Sequence, residues 1–123
     1  MATRILIVDD AVFMRNTLKE IFTSQGFEIG GEAANGVEAV EKYKDVQPDI
    51  TTMDIVMPFK NGIEATREIV KSEPGAVIVI CSALGQESLV MEAIEAGATD
   101  FIVKPFKAEN VVQVVKKALA ARR

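Results

Sequence analysis

The polar and apolar positions of this chain fall into blocks of two kinds, and the two kinds take turns. Short runs that are apolar at every position, such as Ile5–Val8 and Ala76–Ile80, stand between longer stretches where apolar residues recur at helical spacing. A run without polar alternation is buried on both faces, as in a parallel strand. A recurrence at every third or fourth residue marks a helix with one covered face.

In order, the pattern predicts a strand over Arg4–Val8 and a helix from about Val12 to Gln25. That helix puts Met14, Leu18, Ile21 and Phe22 on one face and has Gly26 as its stop. Phe27–Ala34 reads as a weaker strand, at an edge or kinked, because Gly30 and Gly31 lie inside it. Asn35-Gly36 turns the chain into a helix carrying Val37, Val40 and Tyr43, closed off before Pro48. Ile50–Met53 favours a packed strand, and Asp54 stands where it should end. A third helix is expected from about Gly62 to Ser72, with Ile63, Thr66 and Val70 on one face. Ala76–Ile80 is a strand ending at Cys81-Ser82, and Gln86–Ala96 a helix with Val90, Ala93 and Ile94 inward and Gly97 as its stop. Phe101–Val103 is a short strand that stops at Lys104-Pro105. The last helix, from about Ala108, buries Val111, Val114, Val115, Ala118 and Leu119. Strand and helix therefore alternate five times with short connections. This predicts an α/β, doubly wound fold: a parallel sheet with helices on both faces and right-handed crossovers.

Composition acts mainly by exclusion. A chain of 123 residues holds one real core and not two. With 49% hydrophobic and 26% charged residues it has the make-up of an ordinary globular protein. A net charge of -4 without a basic stripe argues against nucleic acid as a direct partner. No apolar run approaches a membrane span, and the apolar start meets Asp9-Asp10 too soon for a signal peptide, so the expected home is the cytoplasm. Cys81, the lone cysteine, reads as inert core. Lys116, Lys117, Arg122 and Arg123 are expected to complement the dipole of a terminal helix. The chain has no histidine, which removes Ser-His-Asp and Cys-His nucleophile systems and argues against zinc. Chemistry is left to carboxylates, hydroxyls, lysine and a hard cation.

Those groups collect. In a parallel sheet all strand C-termini lie along one edge, where ligands of open α/β sheets bind. Here that edge carries Asp9 and Asp10 after the first strand, Asp54 after the third, Ser82 after the fourth and Lys104 after the fifth. Asp54 cannot cap a following helix, because Pro58 and Asn61-Gly62 delay any helix until about Gly62. Neighbouring strands are roughly 4.8 Å apart, so if the first and third are adjacent the three carboxylates reach one ion. Hard oxygen donors of that kind suit magnesium. Singly, Asp10 reads as an N-cap, Lys104 as a solvated side chain and Ser82 as a loop hydroxyl. Their conjunction on one edge is the signal.

Asp9-Asp10, Asp54 with Met57-Pro58 and Asn61-Gly62, Ser82-Ala83 and Lys104-Pro105 together resemble the receiver domain of two-component response regulators, over the whole chain. The resemblance implies the flavodoxin-like strand order 2-1-3-4-5 and a single receiver domain over residues 1–123 with no output domain. It implies that Asp54 accepts a phosphoryl group from a phosphohistidine on a sensor histidine kinase. It further implies Mg2+ held by Asp10, Asp54 and the backbone carbonyl of Val56, with Asp9 acting through water. Lys104 would pair with phosphoryl oxygens, and Ser82 and Phe101 would be the switch residues. Serine at 82 and phenylalanine at 101 depart from the commoner threonine and tyrosine. A cis peptide is implied at Lys104-Pro105.

Asp10–Arg15, Ser82–Gln86 and Phe101–Phe106 are worded most like the chemotaxis regulators. These imply a monomeric signalling protein, not a turnover enzyme, that binds the flagellar motor switch when phosphorylated and is reset by a phosphatase. A phosphorelay intermediate is the alternative. A magnesium-dependent phosphohydrolase would also gather carboxylates on a sheet edge, but those with a strand-one nucleophile resemble Asp-x-Asp, whereas Asp9 and Asp10 are adjacent. A flavin or nucleotide carrier needs glycines or hydroxyls after the first strand to cradle phosphate, and Asp9-Asp10 would repel it.

Overall fold

The structure, a computed structural model, describes residues 2–121. Five strands, β1 (Arg4–Val8), β2 (Glu28–Ala33), β3 (Ile50–Asp54), β4 (Ile78–Ala83) and β5 (Asp100–Lys104), alternate with five helices. The helices are α1 (Val12–Ser24), α2 (Gly36–Val46), α3 (Gly62–Ser72), α4 (Glu87–Glu95) and α5 (Ala108–Ala120). All four strand pairings are parallel, and the sheet order is β2-β1-β3-β4-β5. The doubly wound expectation holds, down to the order 2-1-3-4-5.

Two cores result, one on each face. Strand side chains alternate sides, so Leu6, Val8, Met53, Ile78 and Ile80 pack with α2, α3 and α4 through Ala39, Ile69 and Ala93. Ile5, Ile7, Ile50 and Val79 pack with α1 and α5 through Leu18, Phe22, Val111 and Val115. β1 and β3 are central and buried over nearly their whole length, which explains their unbroken apolarity. Edge strand β2 carries the irregularity its glycines foretold: its register against β1 slips between Ile5 and Leu6, leaving Gly30 unpaired.

Three expectations need correction. The fourth strand begins later than the apolar run Ala76–Ile80 and continues through Ser82 and Ala83. Apolarity reports burial and not pairing, and β5 extends the ladder by pairing Val103 with Ser82 and Lys104 with Ala83. Ile94 does not face in but is 39% exposed. The inward face of α4 centres on Val90 and Ala93, and Ile94 lies one step round the helix from it. Val37 is likewise 43% exposed, because Ala39 and Tyr43 form the covered face of α2. Lys117 lies in the last turn of α5 as expected, while Arg122 and Arg123 lie outside the described residues. Among the described residues no helix is long and apolar enough to cross a membrane.

The central strand has one uneconomical feature. Thr51 and Thr52 in β3 and Thr66 in α3 are fully buried, and their hydroxyls have no hydrogen-bond partner among the described residues. Thr52 sits between Ile7 and Val79 in the sheet, where a methyl group would suit the neighbours better than a hydroxyl. Thr52→Val is therefore expected to raise the unfolding free energy by about 1 kcal/mol in urea melts. A loss of stability would show that the hydroxyl is satisfied and holds the strand.

Candidate functional site

The sheet order puts β3 between β1 and β4, so the residues that end β1, β3 and β5 meet over one pocket. One carboxylate oxygen from each of Asp9, Asp10 and Asp54 lies within 4.8 Å of the others. Lys104, at the end of β5, reaches across β4 and places its Nζ 2.9 Å from Asp9 Oδ2 and 3.3 Å from Asp54 Oδ1. The Lys104-Pro105 peptide just beyond is cis. Four of the five residues expected at this edge thus converge on one point.

Each carboxylate is held differently. Asp9 is buried, accepts the Ala11 amide at 2.9 Å on Oδ1, and gives Oδ2 to Lys104. Asp10 is exposed and does not cap α1, whose N-cap is Ala11 with no side-chain bond. The local reading of Asp10 therefore fails, and its carboxylate is left facing the other two. Asp54 is mostly buried, and the Ile55 amide donates to its Oδ1 at 2.9 Å.

Backbone contacts behind Asp54 fix it there. The Gly62 amide donates to the Ile55 carbonyl at 2.7 Å, and a Cβ on Gly62 would overlap the Asp54 carbonyl oxygen. Only glycine lets α3 begin this close. Asn61 and Glu64 form a capping box that starts the helix at that point. The Gly36 amide donates to the Lys60 carbonyl at 2.8 Å, tying the loop to the start of α2. The sequence marks Asn61-Gly62 as delaying the helix until about Gly62; the close approach of backbone to backbone has no signal in a pattern of apolar residues. Ile55 and Met57 anchor the loop inward, while the Val56 and Phe59 side chains face solvent.

Electrostatically the pocket is overloaded: among the described residues, three carboxylates face one lysine. Burial, then the charge of Asp9, push the Asp54 carboxyl up from 3.8 to about 6, against the opposing pull of Lys104. Burial works against the Lys104 ammonium, but its hydrogen bond to Asp9 and the charge of Asp54 outweigh it, so its pKa is raised. The donor set, hard oxygens carrying more negative charge than the protein neutralises, fits a divalent cation such as magnesium.

Ser82 and Phe101 lie one strand further out. Ser82 is buried in β4, with its Oγ only 3.5 Å from the Ile102 carbonyl, a long and weak bond. Phe101 on β5 is 43% exposed. Between them opens an apolar cavity of about 240 Å³, lined also by Leu84, Val90, Met91 and Val103. Cys81 is buried and unpaired, and burial pushes its thiol up to about 12, as inert core requires.

The raised Asp54 carboxyl makes a signed prediction. A carboxyl whose folded pKa exceeds its unfolded one contributes stability below pH 4 that is lost as pH rises through about 6. In chelator, Asp54→Asn should therefore gain on the wild type between pH 4 and pH 7. The expected gain is about 1 to 2 kcal/mol, roughly half of what the full shift carries, because water at the open mouth screens it. A difference that does not change with pH, in parallel urea melts, would contradict the crowding.

Comparison with known proteins follows the same outline. A sequence model described as the response regulator receiver domain matches residues 5–116, a span that holds every side chain of the pocket. The chain is 60% identical over 117 residues to the chemotaxis protein CheY of Thermotoga maritima, covering 95% of this chain and 98% of that one. It is 56% identical over 119 residues to the CheY of Bacillus subtilis, covering 97% and 99%. The complex of CheX, CheY, beryllofluoride and magnesium from Borrelia burgdorferi has a TM-score of 0.89 at 44% identity, over 94% of this chain and 87% of that one. The response regulator domain of Thermotoga maritima CheB has a TM-score of 0.92 at 38% identity, over 100% of both. The likeness extends over almost the whole sheet, with the acidic edge inside it, and the chain belongs to the response regulator receiver domain family.

Proposed function

We propose that this protein is a phosphorylation-dependent chemotaxis switch. Asp54 accepts a phosphoryl group from a phosphohistidine on a sensor histidine kinase, and the phosphorylated form binds the flagellar motor switch protein. The observation that carries the reading is the convergence of Asp9, Asp10, Asp54 and Lys104 in one pocket, in a chain 60% identical to a CheY. The absence of histidine suits a recipient that borrows its donor. Relatives described as chemotaxis protein CheY, matched over 98% and 99% of their own length, support a receiver that acts in the cytoplasm.

In the transfer, an Asp54 carboxylate oxygen bonds phosphorus as the phosphorus–nitrogen bond to imidazole breaks. The electron pair and a proton stay with the imidazole. The protein adds little covalent chemistry beyond positioning and charge. Lys104, already within bonding distance of Asp54 Oδ1, turns to the phosphoryl oxygens. Asp10, Asp54 and the Val56 carbonyl would hold Mg2+, with Asp9 acting through water. When bound, the ion supplies the positive charge that the transferring phosphoryl oxygens require. Water attack on the phosphorus, assisted by a phosphatase partner, breaks its bond to the Asp54 oxygen, releases inorganic phosphate and returns the carboxylate.

The signal leaves through Ser82. A phosphoryl group adds about -1.5 to -2 charge and new acceptor oxygens. Ser82, weakly engaged with Ile102, is the buried hydroxyl free to turn toward them. Its movement lets the Phe101 ring turn into the cavity beside it, changing the surface formed by α4, β5 and α5. Leu84, in the loop before α4, and Met91, on α4, are 77% and 62% exposed and are the apolar side chains beside the cavity most open to a partner.

With magnesium and acetyl phosphate, intact-mass spectrometry should show one added phosphoryl group on the wild type and none on Asp54→Asn. Equal phosphorylation of the Asn variant would overturn the assignment of Asp54.

A further inference from the structure

Every polar group of Asp9 is engaged, and its backbone is engaged by β2 and by a residue that β2 orients. Its amide donates to the Ala33 carbonyl at 3.0 Å. Its carbonyl accepts Nη1 of Arg15, in α1, at 2.6 Å. Arg15 is itself oriented by Glu32 of β2, whose Oε1 accepts its Nε at 3.0 Å, and Lys19 Nζ takes the other Glu32 oxygen at 2.9 Å. The Arg15 side chain is only 15% exposed, so this is a seated contact and not a passing surface pair. The Lys19 hydrogen bond, opposed by burial and joined by Arg15, holds the Glu32 carboxyl below its usual range and keeps it ionised.

Asp10, the next residue, has nothing comparable. It is exposed and caps no helix. The place of its carboxylate is therefore set by the peptide before it, and that peptide is held by Arg15.

We infer that Arg15, oriented by Glu32, is a positioning residue for the divalent cation. By occupying the Asp9 carbonyl at 2.6 Å it fixes the turn that presents Asp10 and keeps that carbonyl from turning toward the ion. The inference rests on the proposed function, which puts the cation at Asp10 and Asp54. Outer partners of this kind are worth 10- to 100-fold in metal affinity. Arg15 acts through backbone, so the low end is expected.

Electrostatics alone predicts the opposite sign, which makes the test sharp. Removing a positive charge near a cation site should tighten cation binding, and should do so for Lys19 as for Arg15. Positioning predicts weakening for Arg15 alone. Magnesium is titrated by amide NMR or calorimetry into the wild type, Arg15→Ala, Arg15→Lys and Lys19→Ala, with urea melts in chelator to verify folding. Arg15→Met, which keeps the stem, stands in if the alanine variant does not fold. Arg15→Ala or Arg15→Met is expected to bind magnesium about tenfold more weakly, with Arg15→Lys recovering part and Lys19→Ala within about twofold of wild type. Binding by Arg15→Ala and Arg15→Met as tight as wild type, or tighter, overturns the inference while leaving the proposed function intact. Failure of the wild type itself to bind magnesium overturns both.

Discussion

An unbalanced charge at the end of a sheet is the constraint on which the rest of this structure depends. Carboxylate oxygens of Asp9, Asp10 and Asp54 lie within 4.8 Å of one another, and among the described residues only Lys104 enters among them. Such a cluster is costly: burial and like charge push Asp54 to about 6, so part of its population is protonated in mildly acid solution. A fold selected for stability alone would remove one of the three. Its persistence makes sense where added positive charge and a phosphoryl group complete the site, the condition in which three acidic oxygens become an asset.

Holding such a cluster takes rigid surroundings, and the sequence supplies them locally and at a distance. β3 is central and fully buried, so Asp54 ends a strand that cannot shift. Gly62 admits α3 against the Asp54 carbonyl, and the Asn61–Glu64 capping box starts that helix where it must start. In contrast, the region around Ser82 is loose. Its hydroxyl has one long bond, and it borders a cavity of about 240 Å³ that Phe101 leaves open. A braced acidic edge beside an apolar one with an open cavity is the arrangement a two-state switch requires.

Much of this was legible in the chain. Unbroken apolar runs gave the parallel sheet, and parallel strands alone brought Asp9, Asp10, Asp54, Ser82 and Lys104 to one edge. Strand order came from resemblance and agrees with the structure. What could not be read depends on contacts between segments distant in sequence. Ser82 lies within β4 because β5 pairs with it, which no apolar count along β4 reveals. Ile94 satisfied the helical period and still faces solvent, since only neighbouring elements decide where a covered face ends. Nothing in the pattern along the first helix singles out Arg15; its bond to the Asp9 carbonyl is made while Glu32, from another strand, holds its Nε.

The central claim is that charge added at Asp54 is read out on a face two strands away. It is tested most directly by adding beryllofluoride and magnesium, a stand-in for the acyl phosphate, to labelled protein and following the amide NMR spectrum. The account predicts shift changes running from Ser82 through Phe101 to Val112, well beyond the pocket. Changes confined to the loops that carry Asp10, Asp54 and Lys104 would contradict it.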